Sequence, residues 1–385
     1  MRHPSLLSLS ATAAGALAVV FTAAAPTTAS AASGTVIIGQ EVCQTGYLAA
    51  SDAYLVSGAQ IAVNLLNAKG GILGHKVTLV TKDTQCVASN EIQLGNALIS
   101  QSHANAIIGG YQSAAIQGLL PVVQSHSVPF IGGGTLPLES AWGVTTFPSN
   151  SYVPQTILNY LTRNLGAKTI GNITGDTPFG KAVQTLVDSA AKAAKVKTID
   201  TQIADAATTT TPVLQQMSGA DAIFSNTSGP INIIFAKDAA TLGLSKPLIF
   251  QDARSTCEQA GAAYPHVYCV VPQASVYPDI SNPKVKANMA ALYRQFLKKG
   301  GSLANFGGVT AGADQVNLLA QAMTKAKSTD GTAVNKALSS LSYTGAQAVY
   351  KFTPGHTFGI VKNPYVLTKA TSSSLKVVSA QGSKA

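Results

Sequence analysis

Acidic side chains are scarce in this chain. It carries 16 Asp and Glu against 26 Lys and Arg, and charged residues make up 11% of its 385 positions. The cations are scattered, as at Lys181, Lys192, Lys195, Lys197, Lys284, Lys286, Lys298 and Lys299. No dense basic run with interleaved aromatics occurs, which argues against a nucleic-acid partner. The positive surplus suits a loose attraction to an anionic cell envelope. The four cysteines have no C-x-x-C spacing and no companion His pair, which disfavours zinc. No Gly-x-x-x-x-Gly-Lys-Ser/Thr pattern occurs and no G-x-G-x-x-G opens a helix, so a nucleotide cradle is unsupported. Gly110-Tyr111-Gln112-Ser113-Ala114 lacks the final glycine of a nucleophile elbow. His75, His103, His126, His266 and His356 stand in unrelated contexts, with no base beside a nucleophile. No catalytic residue, metal ligand or cofactor is therefore expected.

The N-terminal stretch is the only long apolar run. Arg2 and His3 precede a mostly apolar segment over 6–25, and Ala29-Ser30-Ala31 supplies a small-x-small cleavage pattern. Residues 1–31 read as an export signal. Ser and Thr interrupt the run, against a membrane anchor, and no Cys follows it in lipobox context. The expected location is secreted, in the periplasm or cell-envelope space, at most peripheral to the membrane. Cleavage near Ala31 leaves 354 residues with a net charge of about +9, too long for one ordinary core and suited to two lobes. An even count of cysteines in an exported chain favours disulfides. Cys43 and Cys86 follow the first two expected strands, and Cys257 and Cys269 are close in sequence. Of the three pairings that four cysteines allow, 43–86 with 257–269 is the expected one.

Strand and helix patterns alternate along the chain. Short buried strands are expected over 35–39, 75–82, 106–109 and 128–131, with helices over 52–66, 89–100 and 114–124. The alternation restarts after Asn150, with helices over 152–165, 181–194 and 229–242. Strands are expected there over 168–173, 196–203, 221–225, 247–250 and 267–272. Two long helices follow, over 282–299 and 309–325, and 364–368 with 375–379 can form final strands. This order predicts α/β lobes with parallel sheets and right-handed crossovers. The stretch 106–137 organises the rest. It holds two strands, each running into a loop of Gly, Ser and Thr: Gly110-Tyr111-Gln112-Ser113 and Gly132-Gly133-Gly134-Thr135. In a parallel sheet both loops lie at the carboxyl end of the strands, where such folds bind ligands. Backbone N–H groups, hydroxyls and a helix N-terminus are equipment for a small anionic or polar group.

Several segments, in order, resemble type I periplasmic solute-binding proteins, in the leucine/isoleucine/valine-binding-protein-like branch of ABC transporters. They are AVNLLNAKGGIL at 62–73, Lys82-Asp83-Thr84-Gln85-Cys86, Ile107-Ile108-Gly109, Val128-Pro129-Phe130-Ile131, Asp176-Thr177-Pro178-Phe179-Gly180 and Ser218-Gly219-Ala220-Asp221-Ala222. The resemblance implies two Rossmann-like parallel-sheet lobes joined by three crossovers, closing by a hinge on a ligand. It places the N-terminal lobe at 34–149 plus 279–356 and the C-terminal lobe at 150–278 plus 357–385. It implies a monomer that delivers a small-molecule ligand, an amino acid or small carboxylate, to an ABC permease. By the same resemblance Ser113 holds a carboxylate, Thr135 holds carboxylate and ammonium, and Gly133 offers backbone to the ammonium. Phe179 stands where the family lays an aromatic ring on the ligand.

Departures from the family lie mostly in the second lobe. Phe179 lacks a phenol hydroxyl, Thr227-Ser228 replaces an aromatic pair, and Gln251-Asp252-Ala253 stands where amino-acid binders place a carboxylate. Some members carry a cysteine at the position of Gln112. The candidate ligand residues are thus Tyr111, Gln112, Ser113, Gly133, Gly134, Thr135, Phe179, Ser228 and Asp252, with Tyr47 and Trp142 as further cleft-wall candidates. Blander readings stand beside them. Ser113 and Asp252 can be caps, Thr135 a turn residue, the glycines a plain turn and Phe179 a core residue. A sensory module of the same fold and a secreted α/β hydrolase are the alternative functions.

Overall fold

The computed structural model describes residues 34–380, apart from 135–137, 139, 205–206, 228 and 357. The expected leader, the tail 381–385, Thr135 and Ser228 lie outside the described residues.

The first half begins with β1 (Thr35–Val42), α1 (Ala49–Asn67), β2 (Lys76–Asp83), α2 (Ala88–Ser100) and β3 (Ala106–Gly109). It continues through α3 (Ser113–Ser125), β4 (Phe130–Gly132) and β5 (Gly143–Thr145). These strands form one parallel sheet in the order β2-β1-β3-β4-β5. Every residue of β3, β4 and β5 is buried, because helices cover both faces of the sheet. Side chains alternate accordingly. Val36, Ile38, Ile108 and Ile131 join one core cluster, while Ile107 and Phe130 join another with Leu98, Ile116 and Leu119.

The chain then crosses into a second sheet. Its elements are α4 (Tyr152–Leu165), β6 (Thr169–Gly175), α5 (Pro178–Ala193), β7 (Lys197–Ile203), α6 (Thr211–Gln216) and β8 (Ala222–Asn226). After them come α7 (Pro230–Thr241), β9 (Leu248–Gln251), α8 (Arg254–Ala263) and β10 (Val267–Pro272). It returns through α9 (Pro283–Leu297), α10 (Phe306–Ala326), α11 (Gly331–Leu338) and a small hairpin, β11 (Ser342–Thr344) and β12 (Val349–Lys351). The last two strands, β13 (Tyr365–Ala370) and β14 (Leu375–Ala380), go back to the second sheet. That sheet has the order β14-β13-β10-β9-β8-β6-β7. Its first five strands in sequence are mutually parallel, whereas β13 runs antiparallel to β10 and β14 antiparallel to β13. The second sheet is therefore mixed, since a strand entering from the hinge end must run against its neighbour.

The three crossings are laced together. Gln347 Nε2 donates to the Thr146 carbonyl at 2.8 Å, and Gln273 Nε2 donates to the Gln347 carbonyl at 2.9 Å. Tyr152 Oη donates to the Ile360 carbonyl, and Asn363 Nδ2 donates to Thr156 Oγ1. Each bond joins segments far apart in sequence where the lobes meet.

Both expected disulfides are present, with Cα separations of 5.0 Å for Cys43–Cys86 and 6.2 Å for Cys257–Cys269. Among the described residues no helix is long and apolar enough to cross a membrane.

Candidate functional site

The first wall is built where β1, β3 and β4 end. The pairing of β3 with β1 runs one step further than the strand, as the Gly110 N–H donates to the Glu41 carbonyl at 2.8 Å. Asp52 then gathers the loops. Its carboxylate accepts from the Cys43 N–H at 2.7 Å and the Tyr111 N–H at 3.2 Å. The helix expected from 52 starts earlier, at Ala49, and Asp52 in its first turn points to these loop donors. Burial pushes its carboxyl up to about 6, against the pull of the two N–H bonds.

Gln112 is turned toward the disulfide loop. Its Nε2 donates to the Cys86 carbonyl at 3.0 Å. Gln112 also occupies the cap position of α3, and no side chain caps that helix. Ser113 is the first helical residue, so it is not the cap. It stands in the first turn, with Oγ near Gly134. Gly133 and Gly134 are more than a turn. A Cβ on Gly133 would lie 2.4 Å from the Gly110 carbonyl oxygen, and one on Gly134 would lie 2.7 Å from Ser113 Oγ. The two candidate loops thus touch backbone to backbone. From below, Gln315 Nε2 on α10 donates to the Gly109 carbonyl at 2.9 Å and the Ile131 carbonyl at 3.4 Å, clasping both strand ends.

Tyr111 marks the meeting of the lobes. Its ring packs edge-on against Phe147 with centroids 4.5 Å apart. Its hydroxyl is held far above the ordinary tyrosine range by burial, then by Asp52, then by Tyr365 of the second sheet. Tyr47, in the loop before α1, is 74% exposed. Trp142 is corrected away from the cleft. It precedes β5 at the opposite, amino end of the sheet and packs on the cluster of Leu120, Phe130 and Leu138.

The second wall lies at the carboxyl ends of β6, β8 and β9. Thr177 caps α5 by accepting from the Gly180 N–H at 3.0 Å, which sets Phe179 on the first turn, 36% exposed and outside the core. Asp252 neither lies free nor caps only its own helix. One oxygen accepts from the Gly229 N–H and Asn232 Nδ2, each at 2.7 Å, and the other from the Ala253 N–H at 2.6 Å. It ties the loop after β8 to the loop after β9. Burial raises its carboxyl to about 6. Beside it Gln251 Nε2 donates to Asn150 Oδ1 at 3.1 Å and to Tyr365 Oη at 3.2 Å.

Tyr111, Gln112, Ser113, Gly133 and Gly134 thus fall on one edge, and Phe179 and Asp252 on the other. Sequence reading missed the supports: Asp52, Gln315, Tyr365 and the buried Glu41 and Glu91. The signal available was a polar residue inside an apolar pattern, as with Glu41 in TVIIGQEV. Among the described residues, no cluster of three or more His, Cys, Asp or Glu is placed to hold a metal.

Comparison with known proteins agrees with this architecture. An amino acid binding protein of Pseudomonas aeruginosa is 34% identical over 80 residues, a match that spans about a fifth of either chain. The branched-chain amino acid transporter substrate-binding protein LivJ of Streptococcus pneumoniae, solved with isoleucine, superposes with a TM-score of 0.75 at 22% identity. That superposition covers 90% of this chain and 99% of LivJ. A solute-binding protein of an ABC transporter from Rhodopseudomonas palustris, solved with 3,4-dihydroxybenzoic acid, gives 0.72 at 18% identity, covering 87% and 93%. These likenesses carry the fold. Residues 35–374 match the family described as periplasmic binding protein. The chain therefore belongs to the periplasmic binding protein family, whose members bind solutes rather than convert them, and the hydrolase alternative falls away.

Proposed function

We propose that this chain is the exported substrate-binding protein of an ABC importer, taking a small carboxylate-bearing ligand between its lobes. The observation that carries the reading is the uncapped start of α3 at Ser113, packed against Gly133 and Gly134 at the carboxyl edge of the first sheet. A carboxylate there would accept first-turn N–H groups and the Ser113 hydroxyl in the favourable field of the helix. Thr135 and Ser228 are assigned to the same proposed site. Phe179 would cover the ligand from the second lobe. The membership of strands in the two sheets supports a lobe division at 34–149 plus 279–356 and 150–278 plus 357–385. Closure follows if the ligand binds both walls together better than either alone.

The ligand class is an amino acid, branched-chain or other, or a small carboxylate without an amine. LivJ with isoleucine favours the first, and the dihydroxybenzoic acid complex favours the second. The commitment of Asp252 to three donors inside the protein weakens its role as an ammonium partner. A thermal-shift screen of amino acids, amides and aromatic acids tests the reading. A ligand at about one hundred times its Kd is expected to add roughly 2.7 kcal/mol of stability. No response from any small carboxylate would contradict it.

A further inference from the structure

Three polar atoms at the carboxyl edge of the second sheet are buried without a hydrogen-bond partner. They are Thr174 Oγ1, Asn226 Nδ2 and Gln251 Oε1. Thr174 is the register partner of Asn226 across β6 and β8. Asn226 and Gln251 each follow the last paired residues of β8 and β9, Ser225 and Phe250. Side chains in register on neighbouring parallel strands share a face. Two residues earlier, Phe224 and Ile249 both join the cluster under α4 and α5, so the three stand in one row on that face. Thr174 is fully buried and Asn226 is 7% exposed. Tyr365 and Asn150 flank the row through Gln251, and Tyr111 approaches Tyr365 from the first lobe.

Buried polar groups are paired in the great majority of cases, so a row of three orphans at a binding edge calls for a partner. The row offers a donor, an acceptor and a hydroxyl that is either. An ammonium supplies donors only and leaves the Asn226 amide N–H unmet. A carboxylate supplies acceptors only and leaves Gln251 Oε1 unmet. A carboxamide or hydroxyl supplies both. The carboxylate next to Gln251 in the chain, Asp252, is already committed to Gly229, Asn232 and Ala253.

We propose that Thr174, Asn226 and Gln251 form a neutral specificity row that selects ligands bearing an uncharged hydrogen-bonding group, a hydroxyl or carboxamide, at the end remote from the carboxylate. This rests on the reading of the interlobe cleft as the binding site. The ligand then spans the lobes, anion on the Ser113 edge and neutral polar group on the row.

Titration calorimetry with matched probes tests the proposal. One series is benzoate, 4-hydroxybenzoate, 4-carbamoylbenzoate and terephthalate. The other is L-leucine, L-asparagine and L-aspartate, near-isosteric side chains of different polarity. In at least one series the hydroxyl or amide member is expected to bind about tenfold or more tightly than both its apolar and its charged counterparts. Thr174→Val, nearly isosteric, and Gln251→Met are each expected to erase that preference. In Thr174→Val the affinity for the apolar member and the Tm of the free protein should stay close to wild type. Gln251→Met also gives up the bonds to Asn150 and Tyr365, so its Tm is expected to fall and the preference is read as the ratio of affinities within that variant. Preference for the apolar or charged member, or a preference that survives both substitutions, would overturn the row while leaving the cleft in place. If no member of either series binds wild type, the cleft reading fails and the row fails with it.

Discussion

Glu41→Gln is expected to raise the melting temperature at pH 9 by several degrees and to leave it nearly unchanged at pH 5. Glu41 lies in β1, fully buried, and neither carboxyl oxygen has a hydrogen-bond partner. Burial first, and the neighbouring Glu91 second, push it from 4.5 up to about 9. Glu91 on α2 is itself raised to about 8 by burial and by Asp52. The sign follows from proton counting. Between the ordinary value and about 9, the folded chain holds a proton that the unfolded chain has released. Stability therefore falls as pH rises through that window. At about 1.4 kcal/mol per pH unit, four units for one such group amount to something on the order of 5 kcal/mol. Asp52 and Asp314, raised to about 6 and about 7, add to the slope in the same direction. Differential scanning calorimetry of wild type and Glu41→Gln between pH 5 and 9 reads the effect. A wild-type Tm that is flat or rises with pH would contradict this, as would a variant less stable at both ends.

Gly133→Ala is expected to destroy ligand binding more completely than any change of side-chain polarity nearby. The added Cβ meets the Gly110 carbonyl oxygen at 2.4 Å and the Gly109 carbonyl oxygen at 3.0 Å. Both are backbone atoms of the opposing ligand loop, held in turn by Asp52 and Gln315. Neither can give way cheaply. The loops must part, and the Ser113 and Gly133 edges lose their register. A cost of about 1–3 kcal/mol in stability is the usual range for such overpacking. Displacement of about 1 Å at the proposed anion site should lower affinity more than about a hundredfold on top of it. Gly118→Ala on α3 is the control, because a Cβ there meets nothing nearer than 3.8 Å and alanine suits a helix better. Binding by Gly133→Ala at wild-type affinity would show that the two loops need not touch.

The parts legible in the sequence were those written locally. Short apolar runs, as in AIIG and VYCVVP, became β3 and β10. The helix patterns over 52–66 and 282–299 were equally direct and became α1 and α9. Three elements escaped, the hairpin strand β11, SYT, among them. β5 has three residues, GVT, too few for any period. α8 buries Thr256, Cys257 and Ala260, a stripe too small and polar to read as apolar. Orientation was also hidden, since nothing local distinguishes antiparallel β13 from a parallel strand.

The candidate loops could be placed, because Gly, Ser and Thr after a buried strand carry their own signal. What holds them could not. Asp52 meets Tyr111 across 59 residues, Gln315 meets Gly109 across 206, and Gln347 meets Thr146 across 201. A single polar residue in a helix pattern looks the same whether it faces water or reaches another segment. The role of Asp252 shows the same limit. Its residue type suggested a partner for an amine, while its three donors come from its own and a neighbouring loop.

The most direct measurement titrates a ligand found in the screen into wild type, Ser113→Ala and Thr135→Ala. Loss of a hydroxyl bond to a charged carboxylate is worth about ten- to a hundredfold in affinity. The proposed clamp predicts a loss of that size for each variant, with the fold intact by its unchanged melting temperature. Wild-type affinity in both variants would contradict it and move the ligand away from the edge where β3 and β4 end.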